Sequence, residues 1–268
     1  MKKKEDKKDF CSYCDHTGIV YNHGSEIMGE NVLSPCPKCV TSLCRCNGEE
    51  PYYIFENEKI VPCPCRNIRM KIDKILVIYY SSGIGKYFRW KTWSDFKPEG
   101  DLAGKAYSAA YDIVMNFPDV KKGLYLWGNP GTGKTLLSVI ILTELIKHHA
   151  INGKFIKISR DFFSMLKSTF VEGSERYGES SLIEKELAAV DILVIDDFGV
   201  QRDSPWEQET LYNLIDARYE GEKFTIITSN NNPEQSLKEL SGGRILSRLR
   251  EMCKVLELSG RDYREKKM

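Results

Sequence analysis

The octapeptide Gly128-Asn129-Pro130-Gly131-Thr132-Gly133-Lys134-Thr135 constrains this chain more than any other feature. It satisfies G-x-x-x-x-G-K-[ST] in full and lies between an apolar run, Gly123 to Trp127, and the helical pattern TLLSVIILTELIKHH. Strand, glycine-rich loop and helix in that order make a phosphate-binding loop. The glycines let backbone amides turn inward around phosphate oxygens, and the helix N-terminus adds partial positive charge. Lys134 is placed to bridge the β- and γ-phosphates, and Thr135 to offer a hydroxyl to Mg²⁺.

The rest of the C-terminal two thirds fits such a loop. Asp191 opens the run ILVIDDFG, an apolar strand that ends in Asp196 and Asp197 and delivers both carboxylates to the C-terminal edge of a parallel sheet. Asp196 suits a role in holding Mg²⁺, directly or through water, and Asp197 can orient or deprotonate an attacking water. FIKIS (155–159), an amphipathic stretch over 161–170, a helix over 206–219 and FTIITSN (224–230) alternate strand with helix. That alternation predicts an α/β three-layer domain with a largely parallel sheet. Asn230 would emerge on the same edge as the two aspartates. Arg244 and Arg248 are four residues apart, hence on one helix face. P-loop ATPases commonly need an arginine, in cis or from a neighbouring subunit, to neutralise transition-state charge.

The N-terminal quarter obeys different rules. Eight of the nine cysteines lie between Cys11 and Cys65, in the pairs Cys11/Cys14, Cys36/Cys39, Cys44/Cys46 and Cys63/Cys65. Residues 10–65 lack the periodicity of a self-sufficient core and are rich in turn formers, so metal has to supply what the core does not. In a reducing compartment such pairs read as zinc thiolates. One four-thiolate Zn²⁺ site is the central expectation, and two are arithmetically possible. A nested pairing, with Cys11, Cys14, Cys63 and Cys65 outside and Cys36, Cys39, Cys44 and Cys46 inside, is favoured slightly over a sequential one. The ribbon-like halves CSYCDHTGIVY and VPCPCR suggest it. His16 and His23 are alternative ligands.

Between these regions, Ile68, Ile72, Ile75, Leu76 and Tyr79 recur at helical spacing, followed by Tyr87, Phe88, Trp90, Trp93 and Phe96. The expected organisation is a cysteine module over 1–66, a linker helix and docking segment over 67–97, and an ATPase domain over 98–268. The aromatics read as packing residues rather than as a base-stacking surface. No apolar stretch approaches the roughly 18 to 20 residues of a membrane span. MKKKEDKKDF runs into charge rather than an apolar signal core, so the cytoplasm is the expected compartment. A formal charge of +1 among 268 residues gives no bulk attraction to nucleic acid.

In its motif order, WGNPGTGKT, ILVIDDFG, NLIDARYE, IITSN, GGRILSRLREM and GRDYR, the chain resembles the AAA+ helicase loaders of the DnaC/DnaI type, relatives of the IstB transposition helper ATPases. The resemblance covers roughly residues 90–265. It implies an AAA+ core that binds and hydrolyses ATP within a homo-oligomer, delivery of a replicative DNA helicase onto single-stranded DNA, and an N-terminal module that grips the helicase. It assigns Lys134 and Thr135 to Walker A, Asp196 and Asp197 to Walker B, Asn230 to sensor 1, Arg248 to the arginine finger with Arg244 just before it, and Arg264 to a sensor 2 equivalent. Walker B ends Asp-Asp where many AAA+ proteins have Asp-Glu, which implies slow, switch-like turnover. The cysteine module resembles the zinc-binding part of DnaI-type loaders, with the thiols at 36–46 outside that pattern. Three other readings compete. An IstB-like assistant to a transposase would not need the cysteine module. A small-molecule kinase would need a lid for which the chain after Asn230 leaves little room. A zinc-dependent nucleic-acid module with a vestigial ATPase sits badly with the intact Lys134, Thr135 and Asp196.

Overall fold

The computed structural model describes residues 11–22, 32–199, 204–238 and 240–264. It divides into two compact units, Met1–Val77 and Ile78–Met268. The division falls inside the helix α1 (Arg66–Ser81), which follows Cys65 directly.

The first unit contains two antiparallel hairpins. One pairs β1 (Ile19–Tyr21) with β2 (Leu33–Pro35), the other β3 (Tyr53–Glu56) with β4 (Lys59–Pro62). Its buried cluster is mostly sulfur: Cys14, Cys36, Cys63 and Cys65 with Val40, and Val20, Ile54 and Ile68 partly buried against them. Among the described residues, so small an apolar cluster around the sulfurs offsets little of the entropy of ordering these loops.

The second unit is built on five parallel strands, β5 (Gly123–Trp127), β6 (Gly153–Lys157), β7 (Ile192–Phe198), β8 (Phe224–Ser229) and β9 (Cys253–Glu257), in the spatial order β6-β7-β8-β5-β9. The expected parallel sheet is therefore present. The connection from β5 through α3 (Lys134–His149) passes over two strands before β6, and β8 lies between β5 and β7. This order puts the loop after β5 and the ends of β7 and β8 along one carboxyl edge, where ligands bind in open α/β sheets.

Helices cover both faces. α2 (Gly100–Asn116) packs on α3, whose Leu137 and Val139–Leu142 are wholly buried against the sheet. On the other face α5 (Ser180–Ala189), α6 (Pro205–Glu220) and, after the one-turn α7 (Pro233–Ser236), α8 (Arg244–Met252) close over Leu193, Ile195 and Ile227. The alternate residues Ile192, Val194 and Ile226 are buried as well, as a strand sandwiched between two layers requires. Ser204 and Pro205 start α6: the Ser204 hydroxyl accepts the Glu207 N–H at 3.2 Å and Pro205 occupies the first turn.

The strand expected at 155–159 ends earlier, at Lys157, because the Asp161 carboxylate takes the Lys157 N–H at 3.0 Å and turns the chain. The stretch expected as one amphipathic helix over 161–170 becomes a π-helical turn, Ile158–Phe163, running into the short α4 (Ser164–Ser168). Phe162, Phe163 and Leu166 are buried by that path. Trp90 and Phe96 pack rather than stand free: Trp90 stacks on Tyr79 at 3.8 Å, and Phe96 lies parallel to Tyr107. Among the described residues no helix is long and apolar enough to cross a membrane.

Candidate functional site

The eight clustered thiols form two sets, Cys11/Cys14/Cys36/Cys39 and Cys44/Cys46/Cys63/Cys65, with the sulfurs of each set within 4.8 Å of one another. This is the sequential pairing, and it corrects the nested one. The reason is topological. Each hairpin returns the chain to its start, so β1–β2 brings the pairs flanking it together and β3–β4 does the same for the second four. Two four-thiol sets also replace the single site taken as the central expectation. His16 belongs to neither set, and His23 lies outside the described residues.

The donor sets fit zinc. A tetrahedral zinc with Zn–S bonds of about 2.3 Å separates its sulfurs by about 3.8 Å. Cys11–Cys36 is 3.8 Å, Cys14–Cys39 3.5 Å, Cys44–Cys46 3.7 Å and Cys46–Cys65 3.6 Å. Thiolate is favoured at Cys36 in the first set and at Cys63 and Cys44 in the second. Burial disfavours charge at Cys36, but the Cys39 and Lys38 N–H groups outweigh it and bring that thiol down to about 7. At Cys63 burial is again outweighed, by the Arg45 N–H at 3.3 Å and the Cys65 N–H, and the thiol falls to about 6. The Arg69 guanidinium bonds Cys65 and Cys44 and lies over the Tyr52 ring, offsetting thiolate charge in the second set.

In the second unit the loop after β5 opens into a cavity of about 750 Å³. Its floor is the phosphate-binding loop, with Gly128, Gly131 and Gly133 at φ +146°, +77° and +93°. These left-handed values admit glycine and few other residues. A Cβ on Gly128 would also overlap the Leu258 carbonyl. Pro130, Gly131, Gly133, Lys134 and Thr135 line the cavity. Thr132 is buried and its hydroxyl donates to the Asn129 carbonyl at 2.9 Å, which tightens the loop. Lys134 Nζ donates to the carbonyls of Gly128 at 2.8 Å and Asn129 at 2.7 Å. Burial pulls its ammonium below the ordinary value, against the attraction of Asp197 and Asp196.

Asp196 is fully buried, and its two oxygens differ. Oδ1 accepts from the hydroxyls of Thr135 at 2.7 Å and Thr228 at 2.6 Å. Oδ2 has no hydrogen-bond partner. A buried carboxylate oxygen with no hydrogen-bond donor, facing the Lys157 ammonium at 3.3 Å, beside the Thr135 hydroxyl is the donor set a hard divalent cation takes, so the residues fit Mg²⁺ beside phosphates on the loop. Asp197, at φ +59°, and exposed Asn230 line the same cavity.

Arg264 also lines the cavity, with Arg261 and Tyr263. The segment after β9 is tied there by Tyr263, whose N–H donates to the Gly131 carbonyl at 3.1 Å and whose hydroxyl donates to the Lys97 carbonyl at 2.8 Å. Arg244 and Arg248 do not reach the cavity of their own chain. α8 buries Ile245, Leu246 and Leu249, which turns the arginines onto α6. Arg248 pairs with Asp216 and donates to the Tyr212 hydroxyl at 3.0 Å, and Arg244 sits 4.4 Å over the Tyr212 ring.

Sequence reasoning missed Thr228 and Lys157. Thr228 bonds the buried carboxylate, and Lys157 lines the cavity opposite both aspartates. Each stands at the carboxyl end of an observed strand, on the edge that bears the cavity; a strand expected over 155–159 puts Lys157 in its middle and gives no signal for it.

Residues 101–268 match the IstB-like ATP binding protein family. The replicative helicase loader DnaC of Buchnera aphidicola subsp. Schizaphis graminum is 31% identical over 186 residues, covering 69% of this chain and 72% of that protein. A crystal structure of the DnaC helicase loader superposes with a TM-score of 0.54 at 28% identity, covering 65% of this chain and 100% of that one. The crystal structure of DnaI gives 0.56 at 23% identity, over 66% and 95%. The family match begins after all eight clustered cysteines.

Proposed function

The chain belongs to the IstB-like ATP-binding protein family, together with the replicative helicase loader DnaC, and from that premise we propose that it is an ATP-hydrolysing loader that places a replicative DNA helicase on single-stranded DNA. The observation that carries the reading is the single cavity edge where Lys134, Thr135, Asp197 and Asn230 converge beside the buried Asp196.

Each residue has a task there. The loop amides and Lys134 hold the β- and γ-phosphates, and Lys134 exchanges its carbonyl bonds for phosphate oxygens. Thr135 and Asp196 would hold Mg²⁺, and Thr228 keeps Asp196 aimed by occupying one side of Oδ1. Bound there, Mg·ATP supplies the phosphoanhydride bond and the neutralised leaving group. Asp197 orients the attacking water and Asn230 fixes its position. The aspartate is one methylene shorter than glutamate, which favours slow turnover suited to a switch. Arg264, which lines the same cavity from the tail, would add a second cation near the phosphates.

Arg248, turned away from its own cavity, acts on a neighbour's site in a homo-oligomer, with Arg244 beside it. Salt-bridged to Asp216, it is held in one orientation for that contact. The cysteine module, with one zinc in each thiol set, is the part that engages the helicase, in the cytoplasm. The test is capture of the cell's replicative helicase by the immobilised full chain in ATP and in ADP. Nucleotide-dependent capture is expected; equal or absent capture in both states would remove the loader reading.

A further inference from the structure

Lys157 is the last residue of β6 and the register partner of Asp196 on β7. Its ammonium lies 3.3 Å from Asp196 Oδ2 and 3.6 Å from Asp197 Oδ2. Oδ1 of Asp196 is committed to the Thr135 and Thr228 hydroxyls, so Oδ2 is the oxygen left for a cation, and Lys157 stands on it. The contact is ionic rather than hydrogen-bonded, since Oδ2 has no hydrogen-bond partner. The lysine is anchored from below, its N–H held by Asp161 in the turn that ends the strand. It is not sealed in: its side chain is 28% exposed, which leaves room to swing away.

We propose that Lys157 is a positioning residue that gates the divalent cation: its ammonium competes with Mg²⁺ for Asp196 Oδ2, and swings out toward solvent when the metal enters. This rests on the nucleotide-binding reading above and deepens it. The lysine supplies one positive charge at a point where Mg²⁺ supplies two. Without metal it neutralises the paired aspartates, which would otherwise repel phosphate. With metal it must yield, so the metal's contribution to nucleotide affinity is smaller than it would be without the lysine.

That competition has a signature opposite in sign for the two conditions. In Lys157→Met, ADP binds more weakly in buffer freed of divalent ions, because an uncompensated carboxylate faces the phosphates. In excess Mg²⁺ it binds as tightly as to wild type or more tightly. The ratio of the two dissociation constants therefore rises roughly tenfold, the scale of one unit charge at this range with partial screening. Lys157→Arg keeps the charge and keeps the ratio within about twofold of wild type.

The experiment is calorimetric titration of ADP into the full-length chain, wild type and both variants, in the two buffers. A ratio unchanged in Lys157→Met, or affinities that fall together in both buffers, overturns the gate. If wild type binds no ADP in either buffer, the nucleotide-binding reading fails and takes the gate with it. An unchanged ratio with normal wild-type binding removes the gate alone.

Discussion

Which thiols share a metal is the point at which geometry and sequence pattern disagree most sharply, and paired substitutions decide it. The sulfur separations of 3.5 to 3.8 Å within each set match one tetrahedral ion per set. The full chain should hold two zinc ions. Cys14→Ser should lose one of them, and so should Cys14→Ser with Cys36→Ser, because both thiols belong to one set. Cys14→Ser with Cys63→Ser should lose both. Each structural zinc supplies apparent binding energy on the order of 10 kcal/mol in small metal-dependent modules. Among the described residues Val40, Val20, Ile54 and Ile68 are the apolar side chains packed against the sulfurs, so removing both ions should unfold the module while the ATPase unit stays folded. Zinc per chain is read by elemental mass spectrometry on the purified protein, and unfolding by protease resistance of the first 77 residues. The nested pairing makes the reverse prediction for the two doubles: two ions lost from Cys14/Cys36 and one from Cys14/Cys63. That result would refute the hairpin argument.

Other substitutions probe the second unit. Lys134→Ala should reduce ATP affinity by at least tenfold with the thermal transition unchanged, measured by calorimetry and fluorescence; undiminished binding would remove the phosphate-loop assignment. Thr228→Val strips one hydroxyl from Asp196 and the acceptor from the Asp197 N–H, so turnover should fall about tenfold, ~1.4 kcal/mol, with little change in KM. Arg218 is wholly buried, donating to the carbonyls of Leu187 at 2.8 Å, Val190 at 2.9 Å and Phe224 at 2.7 Å and to the Thr225 hydroxyl at 3.0 Å. Burial lowers its pKa to about 9, and the carbonyls it satisfies tie the end of α5 to β8. Arg218→Met leaves those groups unpaired, at a cost of about 3 kcal/mol or more. The transition should then drop on the order of 10 °C. A drop under about 2 °C would show that the guanidinium is not a clamp.

What was legible in the sequence was what local pattern encodes. The glycine loop declares itself because its φ values demand glycine, and β7 because a strand buried on both faces must be apolar until it meets Asp196. The thiol pairing was not legible, because it depends on which strands pair, and strands of 3 or 4 residues carry too few side chains to announce their partners. Lys157 was hidden for a related reason. Its meaning comes from the register of β6 against β7, and within FIKIS it reads as a mid-strand residue, because the Asp161 turn that ends the strand there is not encoded in the hydrophobic pattern. Arg248 was found by spacing, but the face it occupies was set by the burial of Ile245, Leu246 and Leu249, which turns it from its own cavity toward α6. Arg218 lies inside the helix ending NLIDARYE, and only the packing of α5 and β8 around it gives it a role.

The central claim is that this chain uses ATP to put a helicase on single-stranded DNA. The most direct measurement is unwinding of an oligonucleotide annealed to a single-stranded circle coated with single-strand-binding protein, with the cell's replicative helicase added alone, with the wild-type chain, or with Lys134→Ala. Unwinding that requires the wild-type chain and ATP, and is lost with Lys134→Ala, is the predicted result. Unwinding of equal rate with and without the chain would contradict it.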